Sequence, residues 1–107
     1  MTHLVRGRVY RARPAGFDTD KFFVVVSNNA RNRHLESALV VRFTSSNKPE
    51  LPSIVEVPEH EVAPGGRIVC DDIYELFDDE VKADIGALSA PTMGAVGEGL
   101  KAALGLR

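Results

Sequence analysis

Between Leu39 and Asn47 a stiff apolar run, Leu39, Val40 and Val41 followed by Arg42 and Phe43, ends abruptly in Thr44, Ser45, Ser46 and Asn47. Hydroxyls and an amide on a rigid β-branched support are hydrogen-bonding groups held still, which suits recognition of a polar or anionic group. The same residue types also open ordinary turns. The acidic clusters Asp71-Asp72 and Asp78-Asp79-Glu80 carry oxygen ligands of the kind Mg²⁺ takes, but clustered acids at turns are usually just solvated. No metal or other cofactor is therefore expected. His3, His34 and His60 lie in unlike contexts and read as surface residues. Cys70, set among Ile68, Val69 and Ile73, reads as a small buried hydrophobe rather than a reactive thiol. A Gly-rich phosphate loop, a Cys-x-x-Cys pair, a His pair at metal spacing and a Gly-x-Ser-x-Gly elbow are all absent.

The elements that must position these groups follow from periodicity. Leu4 to Arg13 alternates in part and reads as a first strand with Arg6, Arg8, Arg11 and Arg13 toward solvent. Pro14 to Asp20 forms a mobile polar loop, and Lys21 to Ser27 is an apolar strand of the kind that lies inside a sheet. Asn28 to Leu35 reads as a loop or short helical turn, and Leu39 to Phe43 as a central strand. Ser53 to Val57 and Arg67 to Asp71 are further strands, the second running on to Leu76, with a strong turn signal at Pro64-Gly65-Gly66 between them. Asp78 to Val81 reads as a surface turn and Ile85 to Leu88 as a short last strand. Ser89 caps a helix with Pro91 in its first turn and Met93, Val96, Leu100 and Ala103 or Leu104 on one stripe; Gly105 ends it. Gly94, Gly97 and Gly99 weaken that helix, so it depends on packing and its glycines suit close approach to strands.

At 107 residues the chain is expected to form one domain, residues 1–107. Its hydrophobic fraction of 44% and charged fraction of 26% are those of a soluble globular protein, and no apolar run approaches the roughly 20 residues of a membrane span. The first residues lack a secretion signal, so a cytoplasmic location is expected. The net charge of −2 hides a split: residues 1–48 hold nine bases against three acids, and the remainder four bases against twelve acids. That suits a face that attracts polyanions, unless folding mixes the charges again. The resulting fold is mainly β with α: a small barrel-like sheet of about six mostly antiparallel strands, covered by a C-terminal helix.

The order of the pieces is more specific than any one of them. Arg6-Gly7-Arg8-Val9-Tyr10, Val24-Val25-Val26-Ser27-Asn28, Val40-Val41-Arg42-Phe43-Thr44-Ser45, Val69-Cys70-Asp71-Asp72-Ile73 and Leu88-Ser89-Ala90-Pro91-Thr92-Met93, ending in Ala103-Leu104-Gly105-Leu106, together resemble the MazF/PemK/Kid family of toxin endoribonucleases. The resemblance implies a homodimer of SH3-like barrels that cuts single-stranded RNA, mRNA or tRNA, without a metal, leaving a cyclic phosphate and a free 5′-hydroxyl. It also implies a cognate antitoxin whose tail fills the RNA groove. In that family an Arg opening the second strand and a Thr ending the third form the catalytic pair; the matching positions are Lys21 and Thr44. Some relatives use a second Arg two residues before the Asp of the Cys-Asp strand, a position held here by Val69. Arg11, Arg13, Asp18, Asp20, Asn28, Ser45, Ser46, Lys48 and Asp71 are the expected RNA-binding residues.

Attack of a ribose 2′-hydroxyl on its own phosphate needs a base, positive charge on the crowded phosphorane and an acid for the leaving oxygen. Lys21 supplies charge as a point ammonium, without the two-pronged geometry of Arg. Thr44 and Ser45 donate hydrogen bonds, and Asp18, Asp20 or Asp71 is available as base. Tyr10, Phe17 and Tyr74 are candidates for base stacking. Two other functions fit the same fold: a CcdB-like toxin that poisons a protein, which uses a Trp near the end of the last helix where this chain has none, and a non-catalytic RNA-binding barrel.

Overall fold

The computed structural model describes residues 4–63 and 65–107; His3 and Pro64 of the sequence expectations lie outside them. The chain runs β1 (Arg8–Ala12), β2 (Lys21–Val25), α1 (Asn29–Leu35), β3 (Ser37–Thr44), β4 (Ile54–Glu56), β5 (Arg67–Phe77), β6 (Val81–Ala87) and α2 (Ala90–Leu104). One sheet of order β4-β5-β3-β2-β1-β6 contains all six strands, every neighbouring pair antiparallel. The apolar strands β2 and β3 are therefore central, as their unbroken Val-rich sequences require.

Alternation along these strands splits the core in two. Val9, Val24, Val41, Phe43, Ile68 and Cys70 point to the face that α2 covers with Val96, Met93 and Leu100. Tyr10, Ala12, Phe23, Val25, Val40 and Leu76 point to the other face, closed by Leu4 and Phe17. Opposite the Val41–Arg42 step of β3, β5 inserts Cys70, Asp71 and Asp72, a bulge that bends the sheet and lets one long strand serve both clusters.

Several boundaries differ from the sequence expectations, each for a local reason. The first strand starts at Arg8 because Gly7, at φ 89°, turns the chain and the Arg8 N–H returns to the Val5 carbonyl. Asn28 to Leu35 forms a true helix: the Asn28 side chain accepts from the Arg31 N–H, and Glu36 ends the helix in the left-handed region at φ 55°. Val81 opens β6 directly after a 3-10 turn over Asp78–Glu80, four residues earlier than expected, because the Glu80 carboxylate ties that turn to the Phe77 and Ala15 N–H groups. Of the three helix glycines only Gly99 mediates close approach; a Cβ there would meet Cys70 Sγ at 2.8 Å, whereas Gly94 and Gly97 face open space.

Candidate functional site

Lys21 is the first residue of β2 and Thr44 the last of β3, and the register decides how they meet. Phe22 pairs with Phe43 and Phe23 with Arg42, the last step of the ladder being Phe22–Phe43, so Lys21 and Thr44 stand one residue beyond it at the same end of the two strands. Directly opposed residues share a face. Lys21 pairs with Ala12, and Thr44 with Arg67, giving a row Ala12, Lys21, Thr44, Arg67 across four strands. Strand parity thus puts the Thr44 hydroxyl and the Lys21 and Arg67 side chains on one face at this end of the sheet. The Thr44 hydroxyl oxygen accepts from the Ser46 N–H at 3.1 Å, so its own proton is left to donate. Arg67 reaches the Glu56 carboxylate at 3.4 Å.

Gly66 explains how this row stays compact. A Cβ at residue 66 would lie 2.3 Å from the Phe43 ring and 2.9 Å from the Thr44 carbonyl oxygen, so the approach of β5 to the end of β3 requires glycine. Beyond Arg67 an open cavity of about 340 Å³ is lined by Lys48, Glu50, Leu51, Pro52, Ile54 and Glu56, the size class of small-ligand pockets. Ser45 and Ser46 lie exposed in the turn between Thr44 and this cavity.

The next row on the same face is Tyr10, Phe23, Arg42, Val69. Tyr10 is buried, its hydroxyl accepting from the Val5 N–H, and burial pushes its pKa up; it is closed to base stacking. Phe17 and Tyr74 are half-buried and pack edge-on against each other and against Phe23, with ring centres 5.3–5.9 Å apart. Arg42 makes no hydrogen bond or ion pair to a described residue, and its Nε is buried without a partner. An orphaned buried donor costs about 1–3 kcal/mol.

Other expected site residues are not gathered here. Arg11 pairs with Phe22 and shares its face, not that of Lys21; both Arg11 and Arg13 reach the Asp20 carboxylate, at 3.5 and 2.9 Å. Asp20 is thereby occupied. Asn28 caps α1 at the opposite end of β2 from Lys21. Asp71, in the β5 bulge, accepts from the Ser53 hydroxyl at 2.7 Å. Asp18 is exposed and has no hydrogen bond or ion pair to a described residue. The charge split is also partly mixed by folding, since Arg8 pairs with Asp84 at 3.0 Å and Arg31 with Glu75 at 3.7 Å. Sequence reasoning missed Arg67 and Arg42 because only cross-strand register sets them beside Thr44. No group of three or more His, Cys, Asp and Glu is placed to hold a metal among the described residues. Cys70 is buried, its thiol pushed up to about 11 by desolvation, and it donates to the Val96 carbonyl at 3.7 Å.

A second polar cluster lies at the start of α2. The buried Glu61 carboxylate accepts from the Ser89 N–H at 3.1 Å and from the Ser89 and Thr92 hydroxyls. These bonds outweigh burial and hold its pKa below the ordinary carboxylate range.

A six-stranded antiparallel sheet wrapped by one C-terminal helix, with a polar row at the open ends of its two central strands, defines a small β-barrel class of protein. The family model for the PemK-like, MazF-like toxin of type II toxin-antitoxin systems matches residues 6–104, and the chain belongs to that family. It is 34% identical over 102 residues to Endoribonuclease MazF4 of Mycobacterium tuberculosis and to Endoribonuclease MazF1 of Mycobacterium bovis, covering 95% of this chain and 93% of each relative. Among solved structures, an endoribonuclease in complex with its cognate antitoxin from a mycobacterial species superposes with a TM-score of 0.87 at 33% identity, covering 96% of both chains.

Proposed function

We infer that this protein is the endoribonuclease toxin of a type II toxin-antitoxin pair and that residues 1–107 act as one toxin domain. The observation that carries this reading is the cross-strand row in which Thr44, its hydroxyl proton free to donate, shares a face with Lys21 and Arg67. In cleavage the 2′-oxygen loses its proton to a carboxylate and bonds to phosphorus, and the P–O5′ bond breaks as the leaving oxygen takes a proton from water, giving a 2′,3′-cyclic phosphate and a 5′-hydroxyl. Lys21 neutralises charge building on the phosphorane, and Thr44 donates to a non-bridging oxygen. Asp18 is the carboxylate best able to take the 2′-proton, since Asp20 is held by two arginines and Asp71 by Ser53. No metal is needed for these steps. Ser45, Ser46 and Lys48 lead the RNA from Thr44 toward the cavity beyond Arg67, which suits a base flanking the cut.

The partners are single-stranded RNA, mRNA or tRNA, and a cognate antitoxin whose acidic segment competes for the same cations. The toxin works as a homodimer in the cytoplasm; exposed Leu35, Phe77 and Leu104 offer apolar surface for association, and no described helix is long and apolar enough to cross a membrane. The test is incubation of purified protein with total RNA and EDTA beside Lys21→Ala and Thr44→Ala. Wild type is expected to yield cyclic-phosphate ends and both variants to be severely slowed. Absence of cleavage by wild type would favour the protein-poisoning or RNA-binding alternatives, and equal cleavage by the variants would remove the assigned pair.

A further inference from the structure

Four guanidiniums project from strands, and three of them are bound to carboxylates: Arg8 to Asp84, Arg11 to Asp20 and Arg67 to Glu56. Arg42 is the exception. Its Nε is sealed from water without an acceptor, and its terminal nitrogens, which have no partner among the described residues either, are not sealed. The register explains how the side chain is held. Arg42 lies opposite buried Phe23 on β2 and buried Val69 on β5, so apolar neighbours flank its stem while the edge of the fork meets solvent. It follows Thr44 back along β3 by two residues, about 7 Å, on the face that also carries Lys21 and Arg67. A planar fork whose stem is fixed by packing, with its terminal nitrogens open and unpaired among the described residues beside Thr44 and Lys21, is a preorganised pair of donors for an anion.

We propose that Arg42 is a catalytic residue that grips the non-bridging oxygens of the scissile phosphate, supplying from β3 the bidentate contact that Lys21 at the start of β2 cannot form. The proposal rests on the nuclease reading above. On β5 the residue directly opposite Arg42 is the apolar Val69, so Arg42 is the cation of this row. Lys21 then acts as a second, movable charge and not as the principal clamp.

The test compares Arg42→Met, which keeps an unbranched apolar stem and removes the buried orphan, with Arg42→Lys, which keeps charge but loses the fork. Cleavage of total RNA is timed, thermal midpoints are recorded, and binding of a labelled mixed-sequence 2′-O-methyl RNA 12-mer is measured across salt concentrations. Arg42→Met is expected to melt no lower than wild type yet cut about 10²–10³-fold more slowly, with its slope of log affinity against log salt shallower by about 0.7. Arg42→Lys is expected to retain the wild-type salt slope and still cut at least about tenfold more slowly, the loss attributable to geometry. Arg42→Met cutting within about threefold of wild type, or binding with unchanged affinity and slope, would overturn the proposal. If wild type cuts no RNA the nuclease reading fails by itself, and the binding comparison still judges whether Arg42 meets phosphate. Should Arg42→Met melt lower, Arg42→Lys decides: cleavage at the wild-type rate would exclude a need for the fork.

Discussion

Two clusters in this molecule are built from the same materials, a threonine, nearby serines and charged side chains, and they end in opposite states. At the start of α2, Glu61 takes bonds from the Ser89 N–H and the Ser89 and Thr92 hydroxyls, so each group's need is met inside the protein. At the ends of β2 and β3, Thr44 keeps a proton to donate, Lys21 and Arg67 share its face, and Arg42 has no acceptor among the described residues. Both clusters are polar, but only the second is unfinished. A satisfied network holds the fold together, whereas an open one leaves donors available to a ligand.

If that contrast is right, substitutions in the open cluster change activity with little effect on stability, and those in the closed cluster do the reverse. The largest effect is expected for Thr44→Val and Lys21→Ala, each slowing RNA cleavage about 10²–10³-fold while stability stays within about 0.5 kcal/mol. Melting curves that fell together with activity would erase the distinction. In the closed cluster Glu61→Ala is expected to destabilise by about 1–3 kcal/mol by leaving buried donors unmet, with cleavage per folded molecule unchanged. Denaturant titration beside the RNA assay separates the two quantities.

Acid sharpens the same comparison. The bonds to Glu61 depress its folded pKa, so its contribution to stability is complete above the ordinary carboxylate range and is lost as pH falls through the lower, folded value. Thermal midpoints of wild type and Glu61→Gln should therefore differ most near neutrality and converge in acid, as pH falls through the depressed folded value. Smaller effects come from the glycines. Gly99→Ala pushes against Cys70 and Val55 and is expected to cost about 1–3 kcal/mol. Gly94→Ala and Gly97→Ala, which meet open space, should each add about 0.5–1 kcal/mol of stability, readable as a small rise in melting temperature.

The strands and their limits near Lys21 and Thr44 were legible because β-branched runs interrupted by Pro, Gly and hydroxyl residues specify both type and boundary. The C-terminal helix was legible from Ser89, Pro91 and Gly105 for similar reasons. Hidden were the facts that depend on register. Arg67 follows a Gly-Gly turn with nothing local to link it to Thr44, and Arg42 looks like an ordinary strand residue until its neighbours are known. Glu61 sits in a breaker-rich connection without periodicity, so its burial under α2 has no sequence signal. Arg11 and Arg13 misled in the other direction: their charges were plain, but strand parity puts Arg11 on the face away from Lys21, and Asp20 neutralises both. The early helix α1 is legible only as a loop or short helical turn, because Asn-rich segments favour loops unless a side chain such as that of Asn28 caps them.

Residues Pro14 to Asp20 were expected to be mobile, yet Pro14 is buried, Phe17 is packed between Phe23 and Tyr74, and Asp20 bridges Arg11 and Arg13. Anchors at the start, middle and end leave only two-residue spans free to wander. Most of the conformational entropy of this lip has already been surrendered during folding, so a strand of RNA laid beside Lys21 has little chain left to order, and its binding is correspondingly less opposed.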